Sequence, residues 1–307
     1  MVTLLQEVVK LSDWVENLRR AGAISRKVKE EAYRIVREGA SVLEVCERLE
    51  AIILEEDAKP AFPCNISINE VAAHYSPLPG DSTVIPPSSV VKVDIGVSVD
   101  GYIADTAISV AVDPMFEPMV EAAKAALREA IRLARPGVSV SRIGAAVQRV
   151  VEQMGFKPIR NLTGHEIARY SLHAGLSIPS VASHQSGRLE AWHIYAIEPF
   201  VTTPRGGGEV VPRRLTTIFR VDSGRILQMR LKKEEKMLAK LLAERFDSLP
   251  YSPRWIPSYE KIKRLHERMV KLGRIHRYPV LVEKKGEPVA QAEHTILVTE
   301  DGCEVIT

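Results

Sequence analysis

The chain has 307 residues, 45% of them hydrophobic and 26% charged, with a formal charge of +3 and a pI of about 8.7. This composition excludes a disordered chain and gives enough length for one large core or two smaller ones. It also fails to demand a nucleic-acid partner, and it contains no apolar run of membrane-spanning length.

Residues 1–11 lack the basic start, apolar core and cleavage site of a signal peptide, and Cys46, Cys64 and Cys303 form neither a CxxC pair nor a disulfide framework. A reducing cytoplasm is the expected compartment. Four asparagines among many Glu, Lys, Arg and Pro suggest a protein from a thermophile.

The first 56 residues read as helices. Leu4, Val8, Leu11, Val15 and Leu18 recur at helical spacing, and a second helix is expected from Ser25 or Arg26 to just before Gly39. Ser41 and Glu44 have the spacing of a capping box for a third helix that reaches Glu55. Pro60 and Pro63 then break the chain, residues 65–71 look extended, His74 follows, and Pro77, Pro79 and Gly80 make a loop.

Residues 90–112, VVKVDIGVSVDGYIADTAISVAV, organise the rest. Asp100-Gly101 is the dipeptide favoured in a two-residue type I′ turn, and its flanks are rich in Val and Ile. Pairing Val99 with Tyr102 sets Asp94 opposite Ala107 and Gly96 opposite Asp105. The two aspartates then share a face as diagonal neighbours, with Cα atoms about 7–8 Å apart. The opposite face, with Val91, Val93, Ile95, Val97, Ala104 and Ile108, suits packing against helices, while Gly96, Ser98, Ala107, Ser109 and Ala111 leave room beside the carboxylates.

After the hairpin an Ala-rich helix is expected to end near Arg135, before Pro136-Gly137, and another to run from about Ser141 to Met154. The chain also repeats at an offset of 98 residues. Glu31, Ala32, Arg34, Arg37, Gly39, Ser41, Val42, Lys59 and Pro60 recur as Glu129, Ala130, Arg132, Arg135, Gly137, Ser139, Val140, Lys157 and Pro158. The same order of elements in both copies implies a duplicated half-domain with a site at the junction.

Further on come His165, His173, a short apolar strand interrupted by Glu198, and a Gly-rich loop at residues 202–209 that reads as mobile. Residues 233–246 and 259–272 form charged amphipathic helices within an inserted helical subdomain. A strand through residues 289–299 carries Glu293.

Asp94, Asp105, His165, Glu198 and Glu293 are five possible metal ligands, each among apolar or small residues. Four carboxylates and an imidazole around one point would repel and raise one another's pKa values unless divalent cations neutralised them. An oxygen-rich donor set with one nitrogen and no thiolate suits Mn²⁺, Fe²⁺ or Co²⁺ better than a structural Zn²⁺ site. Spacing alone does not assemble the five, and a lone Glu198 or Glu293 would be read as a strand-end or salt-bridged residue.

Five segments carry a resemblance: residues 61–77 (AFPCNISINEVAAHYSP), 93–107 (VDIGVSVDGYIADTA), 161–179 (NLTGHEIARYSLHAGLSIP), 195–200 (YAIEPF) and 290–295 (AQAEHT). In order and spacing the chain resembles the type 2 methionine aminopeptidases, the archaeal ones above all. The resemblance implies an α+β pita-bread fold with pseudo-twofold halves, formed by residues 1–223 and 279–307, with 224–278 as the helical insertion. It further implies two divalent ions (Mn, Co or Fe, with Zn as a further option) on Asp94, Asp105, His165, Glu198 and Glu293, Asp105 bridging.

On the same basis His74, His173 and Glu198 are the catalytic groups, and Phe62, His74, Leu172 and His173 line the substrate pocket. The implied activity removes the initiator methionine from nascent polypeptides with a small second residue, by a monomer making at most transient contact with ribosomes and none with DNA or membrane. Two alternatives are a Xaa-Pro dipeptidase or aminopeptidase of the same fold, and a non-catalytic ribosome- or RNA-binding homologue using the basic residues 230–233 and 261–264. Retention of all five ligands argues against the second. His294 is expected on the face opposite Glu293, His266 and His276 in solvent, and Cys64 in the core rather than as a nucleophile.

Overall fold

A computed structural model describes residues 2–307, with side chains from Asp13 onward except those of Ser223 and Leu227. The stripe of Leu4, Val8 and Leu11 lies outside the described side chains. Helix α1 (Val2–Ile35) runs straight through the expected break. Ser25 does not cap a new helix; its hydroxyl donates to the Ala21 carbonyl at 2.9 Å. Leu18, Ala21, Ile24, Val28 and Ala32 are each at most 2% exposed and continue one stripe past it. Burying a Leu or Ile is worth about 1.5–3 kcal/mol, whereas a helical serine costs only about 0.5 kcal/mol, so the stripe wins.

In α2 (Val42–Glu55) the Ser41 hydroxyl accepts from the Glu44 amide, as the capping spacing requires. Strand β1 (Lys59–Ile68) starts before Pro60, contrary to expectation, because pairing irregularities on either side of Phe62 absorb both prolines. β2 is Val71–Ala73.

The hairpin forms as β3 (Val90–Val99) and β4 (Tyr102–Ala111), with Asp94 opposite Ala107, Gly96 opposite Asp105 and Val99 opposite Tyr102. Asp100 and Gly101 have φ of 50° and 83°, the positive values a type I′ turn needs. The sheet order is β1-β3-β4, and its apolar face joins α1 and α2 in one core containing Val93, Ile95, Val97, Ala104 and Ile108.

The second copy follows with α3 (Glu117–Leu133), α4 (Val140–Gln153), β5 (Lys157–Pro158), β6 (Thr163–Ile167), β7 (Ser177–Pro179), β8 (Ile194–Ile197) and β9 (Phe200–Thr202). Its duplication is visible in backbone bonds. The Gly39 and Val42 amides donate to Ile85 and Thr83 carbonyls, and the Gly137 and Val140 amides donate to those of Leu189 and Gly187.

The chain then forms β10 (Val210–Arg220), α5 (Ser223–Leu227), α6 (Lys233–Phe246), α7 (Tyr259–Lys271), β11 (His276–Glu283), β12 (Val289–Gln291), β13 (His294–Val298) and β14 (Cys303–Val305). Residues 276–278, read as part of the insertion, pair with β10 as the start of β11. The Gly-rich loop read as mobile is tied down, because the buried Glu283 carboxylate accepts from the Gly207 and Gly208 amides.

Around α5, α6 and α7 a separate cluster gathers Ile226, Leu238, Leu242, Tyr251 and Met269. His266 is not solvated, as expected from its charged neighbours, but only 1% exposed in this cluster. Its Nε2 lies 3.0 Å from the Tyr251 hydroxyl and its Nδ1 3.1 Å from that of Tyr259. α7 turns its charged residues outward and this one histidine inward.

Burial holds the His266 pKa down to about 4, against about 6.5 in an unfolded chain. The unfolded state therefore binds the extra proton first as pH falls. Stability from this group is complete above about pH 6.5 and is lost toward pH 4, by about 2–3 kcal/mol in all. In urea melts between pH 7 and pH 4.5 the native chain should lose that much more stability than His266→Asn; parallel pH dependences would remove His266 as the cause.

Candidate metal centre

Asp94 and Asp105 reach the same side of the hairpin because their separation in register, Asp94 opposite Ala107 and Gly96 opposite Asp105, keeps both on one pleat face. The small residues beside them make room for the second half of the chain. The Asp105 amide donates to Thr295 Oγ1, whose hydroxyl donates back to the Asp105 carbonyl, both at 2.8 Å. The Ser109 hydroxyl donates to the Gln291 carbonyl at 2.7 Å, and Thr106 Oγ1 donates to the Glu293 carbonyl at 2.8 Å.

The two glutamates arise from paired breaks. β8 ends at Ile197 and β9 begins at Phe200, with Glu198-Pro199 between them. The strand expected over residues 289–299 is likewise interrupted, at Ala292-Glu293. Since His294 pairs with Ile197 and Gln291 with Phe200, the two gaps face each other. Released from a ladder, the Glu293 amide donates to the Ala107 carbonyl at 3.0 Å, which carries the carboxylate to the aspartates.

His165 sits on β6 between β7 and β8. Its Nε2 lies 3.5 Å from Asp105 Oδ2 and 3.6 Å from Glu198 Oε1. Ligand atoms of Asp105, His165 and Glu293 fall within 4.8 Å of one another. Asp94 and Glu198 line the same cavity, of about 410 Å³.

Burial, reinforced by the neighbouring carboxylates, pushes Asp94, Glu198 and Glu293 well above the usual carboxylate range, and burial raises Asp105 too. Asp94 Oδ1 and Asp105 Oδ1 are buried without a hydrogen-bond partner. A divalent cation fits this set. It would take up the orphaned oxygens and offset the mutual repulsion, and the oxygen-rich donors with one imidazole suit a hard or borderline ion.

His74 and His173 also line the cavity. His74 adopts φ 66°, in the left-handed region that a non-glycine residue takes uncommonly. Its Nδ1 is 3.2 Å from the Pro279 carbonyl, which can only accept, so Nδ1 carries the hydrogen and Nε2 is the acceptor. Burial lowers its pKa to about 4 and keeps it neutral. His173 stands at the exposed rim with its ring centroid 4.3 Å from that of His165.

Phe62 and Leu172 both line the cavity. Phe62 packs directly on Gly96, where any Cβ would lie 2.3 Å from its ring. Cys64 is core, His294 points away to Thr307 Oγ1 at 2.9 Å, and His276 is exposed. His193 pairs with Glu166 at 2.6 Å.

Sequence reasoning missed several residues. Gln291 Nε2 donates to Glu198 Oε2 at 3.4 Å and to Glu293 Oε2 at 3.3 Å, holding the two glutamates in register. Its place two residues before Glu293 in a strand-like run was the available signal. Tyr278 meets His74 edge-on with centroids 5.6 Å apart, and Ile218 and Pro250 add apolar wall; nothing local in the sequence marks these three.

Residues 16–300 match the metallopeptidase family M24. The chain is 44% identical over 299 residues to a methionine aminopeptidase of Methanothermobacter thermautotrophicus, covering 95% of this chain and 98% of that one. It is 41% identical over 299 residues to one of Saccharolobus solfataricus, covering 96% and 98%. Among solved structures, a thermophilic Arx1 superposes with a TM-score of 0.82 at 20% identity, over 96% of this chain and 90% of that one. A methionine aminopeptidase from Thermotoga maritima does so at 0.68 and 23%, over 95% and 96%; both likenesses concern the fold.

Because burial favours protonated carboxyls in the metal-free cluster, with Asp105 raised to about 8, uptake of a divalent ion is expected to displace protons. Titrating Mn²⁺ into chelated protein at pH 7, in buffers of different ionisation heat, should reveal net proton release, reduced in Asp105→Asn. Metal uptake without proton release would mean that the carboxyls are already ionised.

Proposed function

The chain belongs to metallopeptidase family M24, within its methionine aminopeptidases, and we propose that Asp94, Asp105, His165, Glu198 and Glu293 hold two divalent ions with which it removes the N-terminal methionine of newly made cytoplasmic polypeptides. The observation that carries this is one cavity lined by all five donors, by two further histidines and by an apolar wall. Its volume of about 410 Å³ lies within the range of small-ligand sites.

Asp105, central in the cluster with His165 and Glu293, would help hold the ions, and Mn²⁺, Co²⁺ or Fe²⁺ would suit the donors best. Bound there, such ions would supply a Lewis acid for the scissile carbonyl and a water of lowered pKa.

The chain's own groups complete the chemistry. Glu198, ionised once cations offset its neighbours, would take a proton from the attacking water and return it to the departing amine. His74 offers Nε2 as acceptor to the N–H of the scissile amide, a role fixed by its Nδ1 bond to Pro279. His173, neutral at the rim, donates to the carbonyl oxygen as charge develops there. Phe62 and Leu172 face the methionine side chain, while closure by His74 and His173 leaves space only for a small second residue. The Xaa-Pro alternative has no support among the relatives at about 40% identity, which are named methionine aminopeptidases.

In metal-loaded protein, His165→Ala or Asp105→Ala should abolish hydrolysis of Met-Ala-Ser, and His173→Ala should lower kcat by about 10²- to 10³-fold. Met-Ala-Ser should be cut far faster than Ala-Pro or Met-Lys-Ser. Faster cleavage of Ala-Pro would overturn the substrate assignment, and full turnover in the ligand variants would overturn the metal centre. Phe62→Ala and Leu172→Ala should each shift the ratio of kcat/KM for Met-Ala-Ser over Leu-Ala-Ser; an unchanged ratio would remove that residue from the pocket wall.

A further inference from the structure

One buried ion pair ties together three walls of the cavity that come from distant parts of the chain. Arg254 lies in the short helical turn Pro253–Trp255, and Glu50 lies in α2. Their side chains are only 5% and 7% exposed. Arg254 donates from Nη1 to Glu50 Oε2 at 3.0 Å and from Nη2 to Glu50 Oε1 at 2.9 Å, a two-pronged contact that fixes orientation as well as distance.

Both side chains make further hydrogen bonds. Arg254 Nε donates to the Pro77 carbonyl at 2.7 Å, and Nη2 also reaches Ser76 Oγ at 3.2 Å. Glu50 accepts from the Cys64 amide at 3.1 Å and from Trp255 Nε1 at 2.9 Å.

Each of these anchors stands beside a residue that lines the cavity. Cys64 follows Phe62 by two positions, Ser76 follows His74 by two, and Pro250 precedes Arg254 by four; Phe62, His74 and Pro250 all face the same space. Pro250 itself is held between Leu249, buried in the core beneath α1 and α2, and Tyr251, whose backbone exchanges hydrogen bonds with Phe219. Neither member of the pair lines the cavity itself, so its influence is on spacing.

We propose that the Glu50–Arg254 pair is a positioning device for the methionine pocket, setting the spacing of Phe62, His74 and Pro250 and with it the preference for methionine over leucine at the first residue of the substrate. This rests on the pocket being that of a methionine aminopeptidase. A lysine at position 254 keeps the charge but cannot make the two-pronged contact, and a glutamine at position 50 keeps an oxygen for the Cys64 amide while removing the charge.

The test compares kcat/KM for Met-Ala-Ser and Leu-Ala-Ser in the native enzyme, Glu50→Gln, Arg254→Lys and Pro250→Gly, with metal content and thermal unfolding measured on each and assays run below the unfolding range. The ratio of methionine to leucine should fall about fivefold or more in all three variants, chiefly through a raised KM for the methionine peptide, with metal content unchanged. Equal losses on both peptides in folded, metal-loaded Glu50→Gln or Arg254→Lys would reduce the pair to a structural staple and overturn the proposal. If neither variant folds, Trp255→Phe, which deletes a single hydrogen bond to Glu50, decides by the same ratio. A native enzyme with no preference for methionine would reject the proposed function itself, an outcome distinct from a preference that the variants fail to change.

Discussion

The molecule is organised around the repulsion among four carboxyl groups crowded into the wall of one cavity. Burial drives Asp94, Asp105, Glu198 and Glu293 toward their protonated forms, and neighbouring carboxylates add to this for Asp94, Glu198 and Glu293. No set of flexible side chains would assemble such a cluster unaided. Each group is instead delivered by backbone: two by the fixed register of a hairpin, two by matched interruptions in adjoining strand pairs. The energy stored in that assembly is what a divalent cation releases. The site is therefore strained toward metal, and its rigidity comes from strands rather than from hydrogen bonds among the ligands.

The duplicated halves contribute unequally to this arrangement. In each half a helix pair is joined by the same Gly-x-Ser-Val turn with the same backbone bonds. The first half gives both aspartates from one hairpin, whereas the second gives the imidazole from β6 and the glutamates from chain breaks. The imidazole also sits against His173, and the first half supplies His74 to the same cavity. The proposed catalytic histidines thus belong one to each half, and both line the same cavity.

Much of this was legible in the sequence where local rules act alone. Asp100-Gly101 fixed the hairpin register, Ser41 and Glu44 the start of α2, and the offset repeat the equivalence of the two turns. The failures occurred where distant packing overrode a local signal. Ser25 looked like a cap, but the buried stripe of α1 continued through it. Pro60 and Pro63 looked like breakers, but pairing irregularities took them into β1. His266 lay among charges in sequence and among aromatic rings in space. Gln291, Tyr278 and Pro250 could not be placed because their roles depend on which strand lies opposite, which no short window contains.

The hydroxyls of Thr106, Ser109 and Thr295 form a seam between β4 and the segment 291–295, and Asp105 and Glu293 stand on its two banks. A cation shared by those two residues is consequently a cross-link between parts of the chain nearly two hundred residues apart. The first half cannot complete the centre by itself, nor can the second. Folding and metallation converge on the same junction, so a chain that has made only its hairpin has no competent trap for metal ions.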